Sequence, residues 1–328
     1  MIRSGSAADS IAACASCISS GGLLGLPTET VYGLAADADN DAAVVQIFKA
    51  KGRPADHPLI VHVVDASAVA HFAVDVPDFA QNLMSAFWPG PLTLILPRRP
   101  GVATAAAGGN PTIGLRCPSH PLALALLKNL MSEGLVWGLA APSANQFGCV
   151  SPTTAEHVAS EFGEDLLILD GGACSVGIES SIIDCTRGQP VLLRPGAITR
   201  AQVQAVCGFT VLLKEELPTT AAQAPKASGT LESHYAPKAR VRLLEARAIQ
   251  AKAPGVVGLA VWSRSQLECS EKGQWWRAMP LGADTAAQQL FAVLREFDAQ
   301  GASQIWIETP PDGTEWDGVR DRLQRAAS

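Results

Sequence analysis

Neither of the two glycine-rich signatures that most often announce a nucleotide site is present: the chain holds no G-x-x-x-x-G-K-(S/T) and no G-x-G-x-x-G. Any nucleotide site must therefore be assembled from residues at separate strand ends. No G-x-S-x-G elbow surrounds Ser143, so a hydrolase-type nucleophile is not indicated there. Charge is sparse as well. Charged residues make up 17% of the chain, the net charge is −6, and no basic stripe is interleaved with aromatics, which argues against a broad nucleic-acid surface but leaves room for a local anion site. Long apolar runs are missing: the mildly apolar stretch 11–26 is interrupted by Ser19, Ser20, Gly21 and Gly22, so neither a signal peptide nor a membrane span is expected, and a cytoplasmic protein is. The eight cysteines form no framework, and Cys14 and Cys17 have no second Cys or His pair at zinc-finger spacing, so reduced thiols are expected.

What is present is ample core. A hydrophobic fraction of 48% over 328 residues is enough for two packed domains. The most informative stretch is KAKGRPADHPLIVH, residues 49–62, which crowds cations and histidines around Gly52, Pro54 and Pro58. Gly52 and Pro54 end a helical run that Asn40 or Asp41 can cap, and Pro58 opens a buried strand that ends on His62. Lys51, Arg53 and His57 are thus expected on a loop at the mouth of a sheet. A compact ammonium and a planar guanidinium on either side of Gly52 suit an anion clamp, and a solvated basic turn is the other reading.

Elsewhere the polar residues fall repeatedly at the ends of apolar strands, where open α/β sheets bind ligands. The segment 27–34, PTETVYGL, follows a short strand and offers Thr30 among two hydroxyls and a carboxylate; a polar turn is the alternative. In TIGLRCP, residues 112–118, Thr112, Gly114 and Arg116 share one face of a strand, and Arg116 is either a rim salt bridge or a carboxylate clamp. A strand expected over 136–141 leads into Ala141-Pro142-Ser143-Ala144-Asn145, whose Ser143 and Asn145 suit hydrogen bonding to a ligand. Ser151 or Thr153 is expected to open a helix. Ser180 and Ser181 precede another strand, and Arg194 ends the next. Residues 214–239 have a linker's composition but contain Ser233-His234-Tyr235, which suggests a segment folded back over something. Beyond it, strand, helix and strand patterns with a basic terminal helix predict a small βαβ-type unit.

Together PTETVYGL, KAKGRPADHPLIVH, FWPGPLTLIL (87–96), TIGLRCPSHP (112–121), APSAN (141–145), ESSIID (179–184), LLRPG (192–196) and SHYAPK (233–238) resemble the threonylcarbamoyl-AMP synthase family in its long form. The order of eight blocks makes the resemblance specific from about residue 23 to 238. It implies an α/β fold: a YrdC-like twisted open mixed sheet with flanking helices over 1–208, a linker and active-site lid over 209–239, and a small Rossmann-like α/β C-terminal domain over 240–328.

The resemblance further implies an enzyme joining L-threonine, bicarbonate and ATP, with Mg2+ held by the phosphates and no direct protein ligand. The product would pass to tRNA threonylcarbamoyl transferase proteins for modification next to the anticodon. Carried over by motif, Thr30, His62, Arg116, Ala141 and Ser180 would hold threonine. Arg53, His57, Thr112, Ser143, Asn145, Ser151, Arg194 and Tyr235 would hold ATP, and Lys51 and Arg53 would be catalytic. His57 replaces the asparagine of many relatives and Ser181 their usual threonine. A non-catalytic nucleotide- or RNA-binding YrdC-like protein is the alternative reading.

Overall fold

A computed structural model describes residues 1–134, 136–217, 235–266 and 273–328. Most of the expected lid, including Ser233 and His234, lies outside the described residues. Among them, no helix is long and apolar enough to cross a membrane.

The first unit is built on one mixed sheet. Its strands run in the order Ile2–Ser4, Leu167–Asp170, Leu24–Leu26, Gly33–Asp37, Leu139–Ala140, Ile60–His62, Thr112–Arg116, Leu92–Pro97, Ser181–Asp184, Val191–Arg194 and Leu212–Leu213. Parallel and antiparallel pairs alternate irregularly: Ile60–His62 runs parallel to Thr112–Arg116, which runs antiparallel to Leu92–Pro97. The pairing sets His62 directly beside Arg116. Two residues that are 54 positions apart by number thereby share one end of the sheet.

Local chemistry explains the flanking elements. Helix Asp41–Lys51 starts where the Asn40 side chain accepts from the Ala43 N–H, and stops at Gly52, whose φ of +63° is a left-handed C-cap. Helix Arg200–Cys207 carries a full capping box between Thr199 and Gln202. Helix Ala155–Phe162 departs from expectation, because Thr154 caps it and Ser151 and Thr153 precede it. Those two side chains are therefore released for other partners. The central strand before Ala141 is only Leu139–Ala140, shorter than its apolar run predicts, although the Gly138 carbonyl still accepts from the Ala38 N–H at 3.0 Å.

The second unit is a four-stranded sheet, parallel throughout, in the order Arg240–Leu244, Gln304–Glu308, Leu259–Ser263 and Trp275–Ala278. Helices Ala246–Lys252, Ala283–Ala299 and Asp317–Ala326 flank it, which matches the Rossmann-like expectation. Helix Ala283–Ala299 begins after Gly282 with no side-chain cap.

The two units share a core. Val31, Val150 and Ile178 of the first pack in one apolar cluster with Tyr235, Phe291, Leu294 and Trp316. Contact there is close enough to exclude side chains: a Cβ on Gly177 would stand 2.4 Å from the Gln288 Cα, and one on Gly318 would stand 3.1 Å from the Gly196 Cα. The sheet ends that carry Ile178 and Gly196 are thus clamped by the second unit's helices.

Candidate active site

Where strands of the first sheet end near Tyr235, a small, partly open cavity of about 40 Å³ remains. Its lining includes Thr30, Arg53, His62, Arg116, Ala141, Ser143, Glu179, Ser180, Arg194 and Tyr235. All five residues expected to hold threonine are among them. Lys51, His57, Thr112, Asn145 and Ser151 are not.

Each of those five has a physical reason to stand back. Lys51 closes its helix with its ammonium turned inward, donating to the carbonyls of Ser143 (2.6 Å) and Asn145 (2.5 Å). Burial and the charge of Arg53 push its pKa down to about 7. These two hydrogen bonds tie the 143–145 loop to the end of the Lys51 helix. Asn145 completes that loop by donating to the Gln146 and Cys149 carbonyls. His57 and Arg53 both pack on Phe147, at 5.8 Å between rings and 5.9 Å from the guanidinium carbon. Thr112 begins the strand that Arg116 ends, so about 13 Å of extended chain separates them. Ser151 stands one step behind the cavity, its hydroxyl donating to Glu179 Oε1 at 2.5 Å.

The cationic lining is held by named acceptors. Arg53 donates through Nη2 to the Pro58 carbonyl at 2.9 Å. Arg116 forms an ion pair with buried Glu29 at 2.6 Å and donates to Thr30 Oγ1 at 2.7 Å and the Gly90 carbonyl at 3.2 Å. A guanidinium has five N–H groups, so some remain for a ligand. Arg194 donates from Nε and Nη2 to the Ser180 carbonyl, at 3.1 and 2.9 Å, and from Nη2 to Ser180 Oγ at 3.2 Å. Ser180 also shares a hydrogen bond with Thr93 at 2.7 Å, whereas Ser181 donates to the Ile198 carbonyl and faces away. The cavity side of that serine pair is Ser180.

Burial, then the neighbouring Arg116 charge, pushes the His62 pKa down to about 3, so a neutral imidazole faces the cavity at neutral pH. Burial pushes the Tyr235 phenol up to about 12. Tyr235 has a φ of +63°, a left-handed backbone rare for an aromatic residue. Sequence reasoning did not assign Glu29 or Glu179 to the site. Both stood in quoted motifs beside assigned residues, and buried carboxylates next to arginines were the available signal.

Fold and site together define an α/β protein that gathers arginines and hydroxyls at the strand ends of one mixed sheet and closes them with a residue leading into a second, parallel-sheet unit. Residues 16–196 match the family described as Telomere recombination, and residues 198–328 the family described as Threonylcarbamoyl-AMP synthase, C-terminal domain. The chain is 38% identical to the threonylcarbamoyl-AMP synthase of Bacillus subtilis, over 93% of this chain and 89% of that one. It is 37% identical to that of Pyrococcus abyssi, over 94% and 92%. The crystal structure of P. abyssi Sua5 complexed with L-threonine superposes with a TM-score of 0.89 at 35% identity, covering 100% of this chain and 97% of that one. This chain belongs to the threonylcarbamoyl-AMP synthase family.

Proposed function

We infer that this chain makes L-threonylcarbamoyladenylate from L-threonine, bicarbonate and ATP, releasing diphosphate and water. The observation that carries this reading is the joining of three guanidinium groups, a neutral histidine and several hydroxyls around one cavity. Its relatives are named for the same reaction, and a structural relative is complexed with L-threonine.

Thr30, His62, Arg116, Ala141 and Ser180 form the threonine side. Arg116, balanced by Glu29, offers its remaining donors to the threonine carboxylate. His62, being neutral, adds no charge that would oppose binding of the amine. Bicarbonate loses hydroxide to give carbon dioxide, the free amine attacks its carbon, and the proton the amine sheds joins the hydroxide as water, leaving the N-carboxylate. A carboxylate oxygen then attacks the α-phosphorus of ATP, the bond to the diphosphate breaks, and diphosphate leaves with its electron pair. Negative charge gathers at both steps, on the side where Arg53 and Arg194 stand with Ser143 and Tyr235.

Glu179 is the carboxylate in the cavity lining, and Ser151 and Arg322 occupy its oxygens. No group of three potential metal ligands occurs among the described residues. We assign a divalent cation, Mg2+, as a companion of the phosphates, whose charge it would offset. Closure around the cavity keeps water from the carbamate, which otherwise reverts to amine and carbon dioxide. The product would serve cytoplasmic proteins that transfer the threonylcarbamoyl group to tRNA. The test is diphosphate release from ATP by the purified chain: release is expected only with both threonine and bicarbonate, and release that ignores either one would refute the reaction.

A further inference from the structure

The innermost charged group at the junction of the two units is not in the first sheet. Arg322, on helix Asp317–Ala326, has no exposed surface. Its Nε donates to Glu179 Oε2 at 2.8 Å and its Nη2 to the Glu179 carbonyl at 3.0 Å. Its Nη1 donates to the Pro195 carbonyl at 2.7 Å and to Asp321 at 2.8 Å. The residues adjoining the two carbonyls it grips are Ser180 and Arg194, which hydrogen-bond to each other across the cavity wall. Glu179, fixed from behind by Arg322, accepts the Ser151 hydroxyl with its other oxygen. The Tyr235 ring lies 5.5 Å from the guanidinium carbon of Arg322.

Building on the function inferred above, we propose that Arg322 is a positioning residue for the reaction, supplied by the C-terminal unit to fix the nucleotide side of the cavity. One planar fork joins the ends of strands Ser181–Asp184 and Val191–Arg194, and it carries the charge that keeps Glu179 an acceptor. The electrostatics agree. Burial works against ionisation of Glu179, but Arg322 and Arg194 outweigh it and hold the carboxyl below its usual range. Burial likewise opposes the Arg322 charge, and Tyr235, Glu179 and Asp321 outweigh it and hold the guanidinium above its own. Without Arg322, Glu179 would remain buried beside Ser151 with one oxygen unmatched, and it would turn towards Arg194 as the nearest remaining cation. Arg194 would then be drawn off Ser180. A lysine keeps the charge but cannot span both carbonyls and the carboxylate.

The test compares full-length Arg322→Met, Arg322→Lys and Arg320→Met. Arg320 lies on the same helix and donates to the Pro311 and Gly313 carbonyls, so its variant loosens that helix without touching Glu179. Diphosphate release and calorimetric binding of a non-hydrolysable ATP analogue are both measured. Arg322→Met is expected to lower kcat/KM for ATP and analogue affinity by about tenfold or more, and Arg322→Lys to recover part of the loss. Arg320→Met is expected to match the parent. Combining Arg322→Met with Glu179→Gln should cost less than the sum of the single losses, because the orphaned charge is gone. Parent-like kinetics in Arg322→Met, losses equal to those of Arg320→Met, or strict additivity would overturn the proposal. Should Arg322→Met not fold, parent-like kcat/KM for ATP in Arg322→Lys would overturn it instead. A parent chain that binds the analogue but releases no diphosphate would refute the reaction, while analogue affinity still judges Arg322.

Discussion

Lys51 and Arg53 stand two residues apart and do different work. Lys51 turns into the protein and ties the loop that carries Ser143, whereas Arg53 stays at the cavity. Lys51→Met should therefore act mainly on the 143–145 loop, lowering the thermal midpoint as well as turnover. Arg116 is the converse case, because its fork is part of the cavity wall. Arg116→Lys should raise the apparent KM for threonine about tenfold or more, since a point charge cannot serve Glu29, Thr30 and a carboxylate together. An unchanged KM would remove Arg116 from the threonine side.

His62 gives a pH prediction at the same scale. Its folded pKa of about 3 lies below the ordinary 6.5, so below pH 6.5 the unfolded chain takes up a proton that the folded chain refuses. Stability should fall as pH drops from 6.5 towards 3. His157, pushed down to about 4 by burial and by Arg295, adds to the same trend. In His62→Asn the acid-side decline of the thermal midpoint should be visibly shallower than in the parent.

Among elements, the contact of helices Ala283–Ala299 and Asp317–Ala326 with the strand ends is governed by two glycines. Gly318→Ala gains up to about 1 kcal/mol of helix propensity but crowds the movable Ile178 side chain at 2.8 Å and, less severely, the Gly196 backbone at 3.1 Å. Gly177→Ala has no such relief, since φ is +80° and the obstruction is Gln288 backbone at 2.4 Å. Gly177→Ala should lower the thermal midpoint by several degrees and more than Gly318→Ala does.

Most flanking helices and the central strands were legible because caps, prolines and apolar runs bound them, as at Asn40, Gly52 and Pro58. That bounding also explains why Thr30, His62, Arg116, Ala141 and Ser180 reach one cavity from five blocks. Strands Ile2–Ser4 and Leu212–Leu213 are too short to leave a pattern, and the latter carries the first sheet past residue 208. Gly33–Asp37, reading GLAAD, has no β-branched residue to announce it. Side-chain direction was the other gap. Spacing placed Lys51 beside Arg53 but could not say that its ammonium points inward. The terminal helix read only as basic, with no sign that Arg322 is fully buried.

At the scale of the whole molecule, the cavity is bounded by the strand ends of the first sheet and by Tyr235, which leads into the second unit. Tyr235 joins both units, with its ring on Phe291 and beside Arg322 and its neighbour Ala236 hydrogen-bonded to the Gly148 carbonyl. Ending the chain after residue 217 should leave a folded mixed sheet by circular dichroism yet reduce diphosphate release by about 10²-fold or more. Turnover near that of the full chain would show that the first unit suffices.

The pairing of Glu179 with Arg322 spans 143 residues, and it sets an order of events during synthesis. A chain leaving the ribosome exposes Glu179, Ser180 and Arg194 well before Arg322 has been translated. The sheet can form early, but its carboxylate must wait in water or with a substitute partner until the terminal helix emerges. Under the proposed role of Arg322, a ribosome-held chain stopped short of that residue should fold its first sheet and release little diphosphate.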